Sequence, residues 1–156
     1  MTEPDLTPRP VAPLPRTGTV LAFDFGEKRV GVAVGDLGLR IAHPLLTISA
    51  EDNATRFAEI GKLISEWHPT RLVVGLPMYA DGTEHEVSRL ARRFAQRLEG
   101  RFGVTAILVD ERLTSRAAES RMRESGVRAD KIKASLDAAA AREILESFFS
   151  STPSTA

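Results

Sequence analysis

Val20-Leu21-Ala22-Phe23-Asp24-Phe25-Gly26-Glu27-Lys28-Arg29-Val30-Gly31-Val32-Ala33-Val34-Gly35-Asp36 is the stretch on which the reading of this chain turns. Val20 to Phe25 is almost wholly apolar, the pattern of a strand covered on both faces. Glu27-Lys28-Arg29 makes a polar turn, and Val30 to Val34 is again β-branched and small, which predicts a hairpin. Asp24 breaks the apolar run. A carboxylate in such a strand is costly unless a cation or hydrogen bonds compensate it. It either caps the turn that follows or serves a site as metal ligand or catalytic carboxylate. Gly26, two residues on, leaves room for a phosphate or a metal-associated water beside the backbone.

Working outward, Leu39 to Ile48 predicts a third strand. Pro44 inside it predicts an edge position, because proline cannot donate to a central ladder. Phe57, Ile60, Ile64 and Trp67 recur at helical steps, so Asn53 to Trp67 reads as a helix that His68-Pro69 ends. Arg71 to Pro77 is a buried strand, followed by a loop with the turn signal Asp81-Gly82. Val87 to Arg101 is a second helix, with Leu90, Phe94 and Leu98 on one stripe and arginines mainly away from it. Thr105 to Val109 is another apolar strand. A helix capped by Thr114 or Ser115 is expected to run to Ser125, closed by Gly126. The last helix runs from about Asp130 to Phe149, its buried stripe formed by Ala134, Ala138, Ala141, Ile144, Leu145 and Phe148.

Two further acidic features fall in this frame. Asp110 and Glu111 end a strand, where open α/β sheets place their ligands. Successive strand side chains point to opposite faces, so only one of the two faces a given site, and sequence alone leaves the choice open. Both can equally be acids favoured by a helix N-terminus. Asp137 falls on the apolar side of the last helix, which calls either for an arginine or lysine partner or for a site.

The 156 residues suffice for one domain with a proper core. Prolines 4, 8, 10, 13 and 15 predict an extended tail over residues 1–18, the domain over 19–149, and a frayed end over 150–156. With no cysteine, disulfides and thiolate metal sites are excluded. No apolar run approaches the ~20 residues of a membrane span, and no signal-peptide core opens the chain. A cytoplasmic protein without a membrane partner is expected. Net charge is zero, yet residues 85–133 carry 12 Lys/Arg against 7 Asp/Glu, while residues 1–84 carry 8 against 11. A basic segment beside an acidic one suits a polyanionic substrate and a metal site; solvated helix faces give the same numbers.

The element order βββαβαβα is that of an α/β, ribonuclease-H-like fold: a five-stranded mixed sheet with helices on both faces. If Asp24, Asp110 or Glu111, and Asp137 converge, their repulsion demands cations, and oxygen-only ligation suits Mg²⁺ or Mn²⁺. Two such ions ~3.5–4 Å apart can activate a water and stabilise the leaving oxygen of a phosphodiester.

Phe23-Asp24-Phe25-Gly26, Arg29-Val30-Gly31-Val32-Ala33, Val74-Gly75-Leu76-Pro77 with Asp81-Gly82, Val109-Asp110-Glu111-Arg112-Leu113-Thr114 and Asp137-Ala138-Ala139-Ala140 together resemble the YqgF/RuvX family, in order, over Thr19 to Phe149. The resemblance implies a divalent-metal-dependent nuclease with an RNase-H-like fold. Its acidic residues carry over onto Asp24, the Asp110-Glu111 pair (Glu111 preferred) and Asp137, as catalytic residues and metal ligands. The implied substrate is precursor 16S rRNA, trimmed at its 5′ end; the alternative is a branched DNA junction, cut by a resolvase in recombination or repair. Arg112, Arg116, Arg92 and Arg93 are candidate phosphate contacts. A monomer and a homodimer are both compatible. Two readings compete: a non-catalytic nucleic-acid-binding module that kept the fold, and a nucleotide-binding fold of the actin/sugar-kinase type, for whose two-lobed cleft the chain is short.

Overall fold

The computed structural model describes residues 14–78, 86–111 and 129–151, with the side chains of the last segment described from Leu136 onward. Five strands form one sheet in the order β3-β2-β1-β4-β5: β1 Thr19–Phe25, β2 Val30–Asp36, β3 Ile41–Ile48, β4 Arg71–Leu76 and β5 Ala106–Asp110. The helices are α1 Asn53–Trp67, α2 Glu86–Phe102 and α3 Ala129–Ser151. β1, β2 and β3 pair antiparallel; β4 and β5 continue the sheet parallel to β1. This is the mixed, RNase-H-like sheet expected from the element order.

Alternation along the strands divides the core in two. Leu21, Phe23, Val32, Leu72 and Val74 face α1 and α2, where they meet Phe57, Ile60, Leu63, Phe94 and Leu98. Val20, Ala22, Ala33 and Val73 face the other way and meet Ala141, Ile144, Leu145 and Phe148 of α3. Both faces of β1 are therefore covered, which is why Val20 to Phe23 reads as an unbroken apolar run. Phe94 is the hub of the first layer, with the rings of Phe23, Phe25 and Phe57 at 5.9, 5.1 and 5.8 Å. Each such aromatic contact adds about 0.5–1.5 kcal/mol to the burial itself.

Local chemistry sets the boundaries. Asp52 caps α1, its Oδ2 accepting from Thr55 N and Thr55 Oγ1 at 2.8 and 2.7 Å. His68 closes α1 in the left-handed region at φ 47°, its N–H donating to Ile64 O, before Pro69 forbids continuation. β3 is an edge strand, and the ladder slips beside Pro44: Val32 pairs with Leu46 but Ala33 with Pro44. That bulge accommodates a residue with no N–H to give. Leu14, within the stretch expected to be tail, packs against the α3 layer. α3 continues two residues past Phe149. The loop with Asp81-Gly82, the helix expected between Thr114 and Ser125, and Ala134's side chain lie outside the described residues. No helix among the described residues is long and apolar enough to cross a membrane.

Candidate active site

Asp24 sits at the carboxyl end of β1 and shares a face with Val20 and Ala22, so it points toward α3. In the sheet its cross-strand partner on β2 is Gly31. On the other side, β4 pairs with β1 up to Phe23–Val74, which places Gly75 beside Asp24. The carboxylate thus has a glycine on each flank, and each glycine admits a second acid.

At Gly75 the intruder is Glu111. Glu111 follows β5 in the parity of Ile107 and Val109, which pack on the α3 layer, and its N–H donates to Leu76 O at 3.2 Å. Its side chain crosses over β4: a Cβ built on Gly75 would stand 2.9 Å from Glu111 Oε2 and would also strike Ile144 Cδ1. The bare backbone at Gly75 is the passage through which Glu111 reaches Asp24. At Gly31 the intruder is the α3 backbone. A Cβ there would fall on the carbonyl oxygen of Asp137. Gly31 therefore lets α3 lie directly on β2 and brings Asp137 to the same corner.

Glu111 is 7% exposed, whereas neighbouring Asp110 is exposed. Of the adjacent pair, it is Glu111 that meets Asp24. Burial raises the Asp24 carboxyl to about 7; a hydrogen bond shared with Glu111 offsets part of that, and the nearby Asp137 charge adds to it. Burial, the Asp24 charge, the bond to Asp24 and the Asp110 charge raise Glu111 to about 9. The physical content is one proton held between two carboxylates, with Glu111 as donor. Buried Glu111 Oε2 has no hydrogen-bond partner among the described residues.

Asp137 is partly screened. Arg29, from the β1–β2 turn, donates from Nε to Asp137 Oδ2 at 2.7 Å. Of the alternatives raised by its sequence position, the arginine partner is present, and the Asp137 charge also raises Asp24. Gly26 serves the turn rather than an open space, because a Cβ there would lie 2.6 Å from Arg29 O. Arg92 and Arg93 are exposed on α2, across the sheet from the acids. Arg112 and Arg116 lie outside the described residues.

The fit to a cation follows from these atoms. The donor set is all oxygen, two of its carboxylates repel each other in a desolvated corner, and a buried Oε2 faces no donor; a hard divalent ion would answer all three. Among the described residues no three acidic or histidine side chains already stand at the spacing of a closed metal cage. Asp24 and Glu111 stand together, while Asp137 is bonded to Arg29.

One contributor was missed from sequence. Arg29 looked like an ordinary turn residue, and only its distance of 108 residues from Asp137, bridged in space, reveals it.

Comparison with known proteins places the chain in a family. The family model RuvX, described as Holliday junction resolvase, matches residues 18–151. Curated relatives named "Putative pre-16S rRNA nuclease" include one from Dechloromonas aromatica, 58% identical over 134 residues, covering 86% of this chain and 92% of that protein. Another, from Methylobacillus flagellatus, is 56% identical over 85% of this chain and 90% of its own. A third, from Neisseria gonorrhoeae, is 52% identical over 87% and 90%.

Proposed function

We propose, from the premise that this chain belongs to the RuvX family, that it is a nuclease hydrolysing phosphodiester bonds of precursor 16S rRNA. The observation that carries the reading is the pairing of Asp24 and Glu111 across Gly75. Two carboxylates forced together away from water cost stability and contribute nothing to packing. A purely structural or binding module gains nothing from them; a hydrolase that must hold a hard cation does.

In this reading Asp24, Glu111 and Asp137 would hold Mg²⁺ or Mn²⁺, as a two-ion site. The bound ions supply Lewis-acid polarisation of the phosphate and a more acidic water. The protein's own part is positioning. The β1 backbone fixes Asp24, the Gly75 passage aims Glu111, and the contact of α3 with Gly31 fixes the height of Asp137 over the sheet. Arg112 and Arg116 are proposed to steer the RNA backbone toward this edge, and Arg92 and Arg93, across the sheet, to contact RNA that extends past it. The setting implied is the cytoplasm.

The experiment is cleavage of an RNA carrying the 5′ precursor segment of 16S rRNA, with Mg²⁺ or Mn²⁺, beside a four-way DNA junction. Trimming of the RNA, lost in Asp24→Asn and Glu111→Gln, is expected. Cutting of the junction in preference to the RNA would move the substrate to branched DNA, as the family's description has it. Unchanged cleavage in both variants would overturn the reading.

A further inference from the structure

Arg29 does more at this corner than hold Asp137. Its guanidinium bonds Asp137 through Nε alone, and the side chain remains 34% exposed. Both terminal nitrogens are without a protein partner among the described residues. The turn that carries it is tightly held. Gly26 admits Arg29 O at close range, and the buried Arg56 reaches across from α1 to donate from Nη2 to Glu27 O and from Nε to Ala50 O. Arg56 also stacks over the Phe25 ring at 5.6 Å. Arg29 thus sits on a turn tethered through Glu27 O and is bonded to Asp137 at Nε, leaving its two terminal nitrogens for another acceptor.

The charge around it makes the fork useful. A phosphodiester entering here meets Asp24, Glu111 and Asp137 together, and their repulsion has to be answered from the protein as well as by ions. Among the described side chains, Arg29 is the cation in contact with the acidic corner. Arg142 of α3 is engaged by Glu146 at 2.8 Å, and the α2 arginines lie across the sheet. A guanidinium can bond a carboxylate along one edge and a phosphate along another, which a lysine ammonium does less selectively.

We infer that Arg29 is a substrate-binding residue: its terminal nitrogens grip a phosphate of the RNA while Nε keeps Asp137 in place. This rests on the nuclease reading above and adds to it a specific anchor for the backbone at the site.

The test is binding of the precursor 16S fragment across a salt series, with Ca²⁺ in place of the catalytic metal, for wild type, Arg29→Ala, Arg29→Lys, Asp137→Asn and the double variant Arg29→Ala/Asp137→Asn. Arg29→Ala is expected to weaken binding about 5- to 20-fold and to reduce the slope of log K against log salt by about 0.7–0.9, the loss of one phosphate contact. The same loss is expected when Asp137→Asn is the starting protein. Arg29→Lys, which keeps the charge and guards against a folding defect in the alanine variant, should retain the slope and lose part of the affinity. Wild-type affinity and slope in Arg29→Ala, or an effect that vanishes in the Asp137→Asn background, would overturn the role of Arg29 and leave the nuclease reading standing. A wild type that neither binds nor cuts the RNA would overturn both.

Discussion

Gly75 and Glu111 compete for one volume: a β-carbon on the glycine would stand 2.9 Å from Glu111 Oε2. The glutamate can lie over β4 only because that position carries no side chain. Gly75→Ala is therefore expected to displace Glu111 from Asp24. The fold should survive with a loss of about 1–3 kcal/mol, since Ile144 must also move. Cleavage should fall further than stability does, by about 10- to 100-fold. Thermal melting and RNA cleavage on the same preparation check this; equal activity in the alanine variant would show that Glu111 does not need the passage.

Stability of the metal-free protein should fall as pH rises. Asp24 and Glu111 are raised to about 7 and about 9 in the folded state, while ordinary carboxyls in the unfolded chain titrate near 4. Across that interval the folded state keeps protons that the unfolded state has released, so rising pH favours unfolding. Their stabilising contribution is complete below about pH 4 and is lost as pH climbs through 7 to 9. Glu111→Gln, which can donate permanently to Asp24, should be more stable than wild type at pH 8 by on the order of a few kcal/mol and nearly equal to it at pH 4. Denaturant titrations in EDTA from pH 4 to 9 measure the difference, and a gap that fails to widen with pH would refute the shared proton.

Gly31 sets the seat of α3. A methyl there would collide with the backbone of Asp137 rather than with a yielding side chain, so Gly31→Ala must lift the helix. The expected cost is at the upper end of overpacking, about 3 kcal/mol. Amide hydrogen exchange should rise along α3 before it rises in α1. Uniform exchange behaviour would mean that the helix is not seated through this contact.

Arg56 is 3% exposed and uses its guanidinium on two backbone carbonyls that belong to different loops. Its replacement by Met keeps the bulk and strands both acceptors, at about 1–3 kcal/mol for the buried polar groups left behind. Because the β1–β2 turn is one of the tethered loops, cleavage should drop in Arg56→Met along with melting temperature. Retention of full activity at unchanged stability would show the turn to be held by other means.

How much of this could be read from residues alone depends on what each feature's signal is made of. The hairpin, the edge strand and the helices announce themselves through apolar runs, Pro44 and helical spacing, which are local. Asp24 was visible because it is the one charge in a strand with no polar face. The choice between Asp110 and Glu111 was not visible, because β5 is apolar on both sides: Ala106 and Leu108 go to one layer, Ile107 and Val109 to the other. Without alternation there is no phase to extend to the next two residues. Gly31 and Gly75 look like any strand glycines until the chain brings α3 and Glu111 against them. Arg29 is likewise defined by a partner far along the chain.

The central claim is that Asp24 and Glu111 share a proton that a divalent ion displaces. Calorimetric titration of Mn²⁺ at pH 7, repeated in buffers of different ionisation enthalpy, counts the protons set free on binding. Wild type is expected to bind Mn²⁺ and release about one proton per protein molecule, while Asp24→Asn and Glu111→Gln bind weakly. Mn²⁺ binding as tight in both variants as in wild type, or binding by wild type without proton release, would contradict the account.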